Sequence, residues 1–123
     1  MDKMNKRAVG SVYEQSAARF LKDKGYSILE MNFRCRFGEI DIIAKDGSVL
    51  VFAEVKYRAS SGSGFPSEAV NYRKQSTICK VADRYMLKHG LYDNTPCRFD
   101  IISVLGDEIR HIENAFEYIG CAR

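Results

Sequence analysis

The chain has 123 residues, with 19 lysines and arginines against 16 acidic residues and a net charge of +3. That length fits a single domain, 1–123, with one ordinary hydrophobic core, and a composition of 46% apolar and 28% charged residues excludes a disordered or fibrous chain. The longest unbroken apolar run, Val49 to Ala53, excludes a transmembrane helix, and the charged start (Asp2, Lys3, Lys6, Arg7) does not read as a signal peptide.

From Val9 to Leu21 the apolar positions Val9, Val12, Tyr13, Ala17, Phe20 and Leu21 recur at helical spacing. Gly25, behind Lys22 and Lys24, closes that helix. Tyr26–Arg34 reads as a strand. Glu39–Lys45 and Ser48–Tyr57 are strands rich in Ile, Val and Phe, joined by Asp46-Gly47, the dipeptide of a two-residue hairpin turn. Both carry apolar residues on both faces, so the sheet is expected to be covered on each side. Arg58–Pro66 is loop by composition. A second helix is predicted from Ser67 to His89, ending at Gly90, with Val70, Lys74, Ile78, Val81 and Tyr85 as its inner stripe. A last hairpin, Arg98–Leu105 and Glu108–Glu113, turns at Gly106-Asp107. The fold class is α/β, in the order α-β-β-β-α-β-β.

The cysteines, Cys35, Cys79, Cys97 and Cys121, are scattered without a C-x-x-C pair, so reduced thiols and a cytoplasmic location are expected. His89 and His111 supply no zinc-ligand spacing and read as surface residues near element ends. The mild positive charge permits a nucleic-acid partner without requiring one.

Glu39, Asp41, Glu54 and Lys56 are the charged residues in otherwise apolar strands. With Asp46-Gly47 as the turn, Glu39 sits opposite Glu54 and Asp41 opposite Phe52, and alternation puts all four side chains on one face. Carboxylates gathered this way repel and are costly to bury, so something positive must lie between them. A hard divalent cation such as Mg²⁺ would serve, as would salt bridges from Lys56, Arg34 or Arg36. Glu14 lies at the flank of the first helix's apolar stripe, either pointing to the sheet or marking the solvent boundary. Lys74 either snorkels from the inward stripe or reaches the mouth of the acidic site to hold a phosphate. Arg34, Arg36, Arg58 and Arg73 flank the same region in sequence. Basic groups around carboxylates suit a polyanion approaching a metal, and singly they suit a solvated surface.

Asp41, twelve residues, Glu54, one residue, Lys56: this spacing resembles the D-x(n)-(D/E)-x-K signature of the PD-(D/E)xK, or restriction-endonuclease-like, nuclease superfamily. Ile40 stands where the superfamily's naming proline would be. More narrowly, the chain resembles the bacterial YraN-like family through Gly38-Glu39-Ile40-Asp41-Ile42-Ile43-Ala44 and Val51-Phe52-Ala53-Glu54-Val55-Lys56-Tyr57-Arg58. Glu68-Ala69-Val70 with Lys74, Arg98-Phe99-Asp100 and His111-Ile112-Glu113-Asn114-Ala115-Phe116 extend the match. That family's apparent relatives are predicted nucleases, notably archaeal-type Holliday junction resolvases.

The resemblance implies a restriction-endonuclease-like core with a central mixed sheet flanked by helices. It implies Mg²⁺ or Mn²⁺ held by Asp41, Glu54 and the backbone carbonyl of Val55, with Glu14 completing the site; Glu39 has no equally general role in the superfamily and enters as an accessory through its place in the strand alone. Lys56 would orient or deprotonate the attacking water or stabilise phosphate charge. Arg34, Arg36, Arg58, Arg73 and Lys74 are then the candidate nucleic-acid contacts. The expected activity is metal-dependent hydrolysis of phosphodiester bonds, in DNA rather than RNA, on branched or otherwise structured substrates. A homodimer is compatible with it, and a membrane partner is not expected. Two rivals remain: a nucleic-acid-binding module on a nuclease fold without turnover, and a protein-interaction domain whose charges form only salt bridges.

Overall fold

A computed structural model describes residues 6–58, 64–66, 69–91 and 95–119. Its elements are α1 (Lys6–Asp23), β1 (Ser27–Cys35), β2 (Gly38–Asp46), β3 (Val49–Arg58), α2 (Tyr72–Lys88), β4 (Cys97–Leu105) and β5 (Glu108–Phe116). The order is the one predicted. Ser67, Glu68, the side chain of Val9 and Cys121–Arg123 lie outside the described residues.

The five strands form one mixed sheet in the order β1-β2-β3-β4-β5. β3 and β4 are parallel, because α2 carries the chain across between them, and the other neighbours are antiparallel. Each face of the sheet is covered, as the two-sided apolar strands require. On one face Phe33, Ile40, Ile43, Phe52 and Phe99 pack with Ile78, Val81, Ala82 and Tyr85 of α2. On the other, Ile42, Val51, Ala53, Val55, Ile102 and Val104 pack with Ala17, Ala18 and Leu21 of α1. No helix among the described residues is long and apolar enough to cross a membrane.

Both helices end in the paired hydrogen bonds of a Schellman motif, from Gly25 to Lys22 and Tyr26 to Leu21, and from Gly90 to Leu87 and Leu91 to Met86. The second helix begins five residues later than the sequence predicts. Asn71, in extended backbone, accepts the Lys74 N–H on its side chain at 2.8 Å, and this cap sets the first turn. Asn71→Ala is expected to cost about 1 kcal/mol, read as a lower midpoint in urea, with Asn71→Asp restoring most of it.

The β2–β3 turn also corrects the sequence reading. Asp46 pairs with Val49 as the last rung, and Gly47 and Ser48 make the turn, with Gly47 at a φ of +61° that favours glycine. Asp46 is held in the ladder by Arg98, whose Nη1 lies 3.0 Å from its carboxylate. This contact bridges positions far apart in sequence and is invisible to a local pattern.

Arg98 belongs to a buried polar cluster. Asp100 is 1% exposed and accepts from Arg98 Nε at 3.0 Å, Arg98 Nη2 at 3.1 Å, His111 Nε2 at 2.7 Å and the Asn114 N–H at 2.9 Å. Lys24 Nζ, a donor only, lies 2.8 Å from His111 Nδ1, so Nδ1 accepts and Nε2 carries the proton given to Asp100. Burial pushes the Asp100 carboxyl up, but hydrogen bonds from His111, Arg98 and the Asn114 backbone outweigh it and leave the group below its ordinary value. His111 is therefore a buried tie in the middle of β5, not a surface residue, its side chain being only 2% exposed. His89 does cap an element end, that of α2.

Cys35 and Cys97 carry free thiols, and the Cys79 sulfur accepts the Ile119 N–H at 3.3 Å.

Candidate active site

The site forms where β2 and β3 part. Their ladder runs from Asp46↔Val49 to Ile42↔Ala53 and stops. Beyond it β2 stays paired with β1 through Arg34↔Glu39 and Cys35↔Gly38, while β3 stays paired with β4 through Arg58↔Leu105. A strand leaving its partner exposes backbone donors that need acceptors. Asp41 supplies one: its Oδ2 accepts the Val55 N–H at 2.7 Å.

Asp41 also marks a change of face. Ile40 packs with the α2 cluster, whereas Ile42 packs with the α1 cluster, although residues two apart in a regular strand share a side. A Cβ on Gly38 would meet Thr77 and Val81 of α2, which places Gly38 with Ile40 on the α2 side. Glu39 therefore turns to the α1 side and pairs with Arg34 at 3.3 Å. Glu54 and Lys56 alternate with Phe52 and face α2. The single-face grouping of Glu39, Asp41, Glu54 and Lys56 expected from alternation thus fails at Glu39, and Asp41 does not oppose Phe52, which pairs with Ile43.

β1 makes the same switch, Phe33 facing α2 and Met31 facing α1. Between them Asn32 has a φ of +53°, in the left-handed region that asparagine enters more readily than most residues. The pairs Met31↔Ile42 and Phe33↔Ile40 set Asn32 beside Asp41. Its Nδ2 donates to Glu14 Oε1 at 2.8 Å, which holds the first-helix glutamate at the site. Sequence reasoning missed Asn32; the signal was an asparagine interrupting a weakly alternating strand.

Burial is the main influence on the Asp41 carboxyl and pushes it up. The Val55 hydrogen bond pulls the other way, and the charges of Glu54, Glu14 and Glu39 push up again, leaving it at about 7 rather than 3.8. The four carboxylates named from the sequence therefore act on one point. Lys74 reaches the cluster: its Nζ lies 3.4 Å from Glu54 Oε1, with Glu54 15% exposed. Lys56 instead donates its ammonium to the Ala69 carbonyl oxygen. Arg36 lies over the Phe37 ring at 4.8 Å, and Arg58 and Arg73 are exposed. A groove of about 830 Å³ between α1 and the β4–β5 hairpin contains none of these residues.

A family profile described as "Uncharacterised protein family UPF0102" matches residues 13–104. The chain belongs to the UPF0102 family. A UPF0102 protein of Lachnoclostridium phytofermentans is 49% identical over 117 residues, covering 95% of this chain and 99% of that one. One from Alkaliphilus oremlandii is 50% identical over 118 residues, covering 92% and 100%, and one from Persephonella marina is 45% identical over 108 residues, covering 88% and 92%. Within this UPF0102 chain the matched stretch holds Glu14, Asp41, Glu54, Lys56 and Lys74 and ends before Arg110 and His111.

The raised Asp41 carboxyl gives the UPF0102 chain a stability signature in a chelating buffer. The folded state holds the proton more tightly than the unfolded one. The contribution is therefore fully present below about pH 4 and is lost as pH rises toward about 7. Across that window the melting temperature of the wild type should fall by several degrees relative to Asp41→Asn, measured side by side by circular dichroism. Parallel curves would contradict a proton-holding Asp41.

Proposed function

We propose that the protein is a metal-dependent nuclease that hydrolyses phosphodiester bonds in DNA, with branched or structured DNA as its preferred substrate. One observation carries this: Asp41 is half-buried at the parting of β2 and β3, its Oδ2 on the Val55 N–H, and feels the charges of Glu54, Glu14 and Glu39, of which Lys74 meets Glu54 and Arg34 meets Glu39.

The donor set suits a hard divalent ion. Among the described residues no group of three or more His, Cys, Asp or Glu side chains stands at metal-binding spacing. Mg²⁺, however, commonly takes only one or two carboxylates and keeps several waters, so Asp41 with Glu54 is a sufficient protein contribution. These two, with the Val55 carbonyl and with Glu14 behind them, would hold Mg²⁺ or Mn²⁺, which supplies a more acidic water and neutralises phosphate charge when bound.

The chain's own groups do the rest. Lys74 and Lys56 stand on the Glu54 face, where an ammonium steadies the phosphate as water forms a bond to phosphorus. The bond to the leaving sugar oxygen breaks, and a proton from water passes to that oxygen. Lys56 has to leave the Ala69 carbonyl to take this part. Arg34, Arg36, Arg58 and Arg73 are the proposed backbone contacts. The chemistry belongs in the cytoplasm, where the thiols stay reduced.

A binding module without turnover is the second reading, favoured by the engagement of Lys56 with Ala69 and not with the carboxylates. The deciding assay is cleavage of single-stranded, duplex, flap, forked and four-way-junction DNA in Mg²⁺ and in Mn²⁺. Metal-dependent cutting with a structural preference supports the nuclease, and metal-independent binding without cutting supports the module.

A further inference from the structure

The Glu54 face of the sheet carries a second row of polar groups, of which the proposed chemistry uses only Lys56. Lys56 pairs with Ser103 across the parallel β3–β4 ladder, and Ser103 pairs with Arg110 across β4–β5. Residues in register share a face, and Phe52 and Phe99 place this one on the α2 side. Ile109 packs with the α1 cluster, so its neighbour Arg110 falls on the same side as Ser103. The row is thus ammonium, hydroxyl, guanidinium over three adjacent strands about 4.8 Å apart. Lys56 stands two residues from Glu54 along β3, about 6.6 Å at strand rise.

Two features single out this row. Ser103 is 0% exposed, and its Oγ has no hydrogen-bond partner among the described residues, a costly state for a buried hydroxyl. Neither cation in the row is paired with a carboxylate among the described residues. Arg110 lies over the Phe65 ring at 3.8 Å, and Lys56 bonds the Ala69 carbonyl.

We infer that Lys56, Ser103 and Arg110 form a phosphate-binding subsite beside the carboxylate centre, which takes a backbone phosphate flanking the one attacked. The inference rests on the nucleic-acid reading of the site. Two cations with a hydroxyl between them match the oxygens of a phosphate, and a guanidinium can grip two of those oxygens at once. Phosphate binding satisfies the Ser103 hydroxyl and displaces the Phe65 ring from Arg110. It also draws Lys56 off the Ala69 carbonyl.

The test uses the full chain in a chelating buffer, so that binding is read without cleavage. Affinity for a fluorescein-labelled forked DNA is measured by anisotropy between 50 and 200 mM NaCl, a range over which phosphate contacts are strongly salt-dependent. Arg110→Gln should weaken binding about threefold to tenfold at 100 mM salt and lower the salt slope by about 1. Ser103→Ala should weaken binding about threefold while leaving the melting temperature equal or higher, because it removes an unsatisfied buried group. Inorganic pyrophosphate should shift the backbone amide signals of Ser103 and Arg110 in the wild type. Wild-type affinity and slope in both variants overturn the subsite and leave the nuclease reading standing. So does a Ser103→Ala variant that melts several degrees lower yet binds normally, since the hydroxyl is then structural. Pyrophosphate shifts without any DNA binding keep the subsite and end the nucleic-acid reading; the absence of both ends both. If Arg110→Gln does not fold, Ser103→Ala decides alone.

Discussion

Asp41→Asn and Glu54→Gln are each expected to lower metal-dependent cleavage by more than about 100-fold, the upper end of what changes merely behind a metal's ligands cost. Asp41 combines two tasks: its Oδ2 takes the Val55 N–H at 2.7 Å, and its charge stands among three other carboxylates. Asparagine keeps an oxygen for the Val55 N–H but removes the negative charge that holds a cation. The variant should therefore fold, with a melting temperature at neutral pH no lower than the wild type's, and still fail to cut. Lys56→Ala should also fail to cut while retaining metal affinity, because an ammonium is not a ligand. Calorimetric titration with Mn²⁺ separates these outcomes: binding lost in Asp41→Asn and Glu54→Gln, kept in Lys56→Ala. Cutting that persists in all three variants would come from a contaminating nuclease and would sink the assignment.

The second large effect concerns stability. Arg98→Ala is expected to destabilise the fold by about 3–5 kcal/mol, since it leaves the buried Asp100 charge without its cation, and Asp100→Ala by less, since Arg98 keeps Asp46. Asp100 has four hydrogen-bonding atoms around its carboxylate from three residues, and Arg98 also reaches Asp46 and the Tyr26 hydroxyl. The cluster thus ties β4 to β5, to the end of β2 and to the α1–β1 connection. Replacing both residues together with apolar side chains should cost clearly less than the sum of the two single changes, because no orphaned charge remains. Urea denaturation of the two single variants and the double variant measures this directly. Additive losses would show that Arg98 and Asp100 act separately. The Asp100 carboxyl lies below its ordinary value, so its contribution is present at neutral pH and is lost as pH falls below the range where free aspartates titrate.

Much of the molecule follows from local chemistry. Helical spacing from Val12 to Leu21, the Gly25 and Gly90 stops, the turn glycines and the apolar strands are each decided within a few residues, so the element order could be read along the chain. So could the carboxylates of the site, because an acid in a strand as apolar as Ile40–Ala44 or Val51–Val55 is conspicuous wherever that strand pairs.

What sequence alone left undecided is what depends on partners distant in the chain. The turn falls at Gly47-Ser48, with Asp46 kept as the last rung of the ladder and its carboxylate on Arg98, 52 residues on. Alternation placed Glu39 with Glu54, but the paired switch of face at Asn32 and Asp41 turned Glu39 toward Arg34. His111 looked like a surface residue until β5 closed against β4 and gave it Asp100. Ser103 and Arg110 were unremarkable until register set them beside Lys56. Periodicity encodes which side of its own strand a residue occupies. The register between strands, and hence which charges meet, is set by long-range pairing and buried polar ties that exist only once the sheet has assembled.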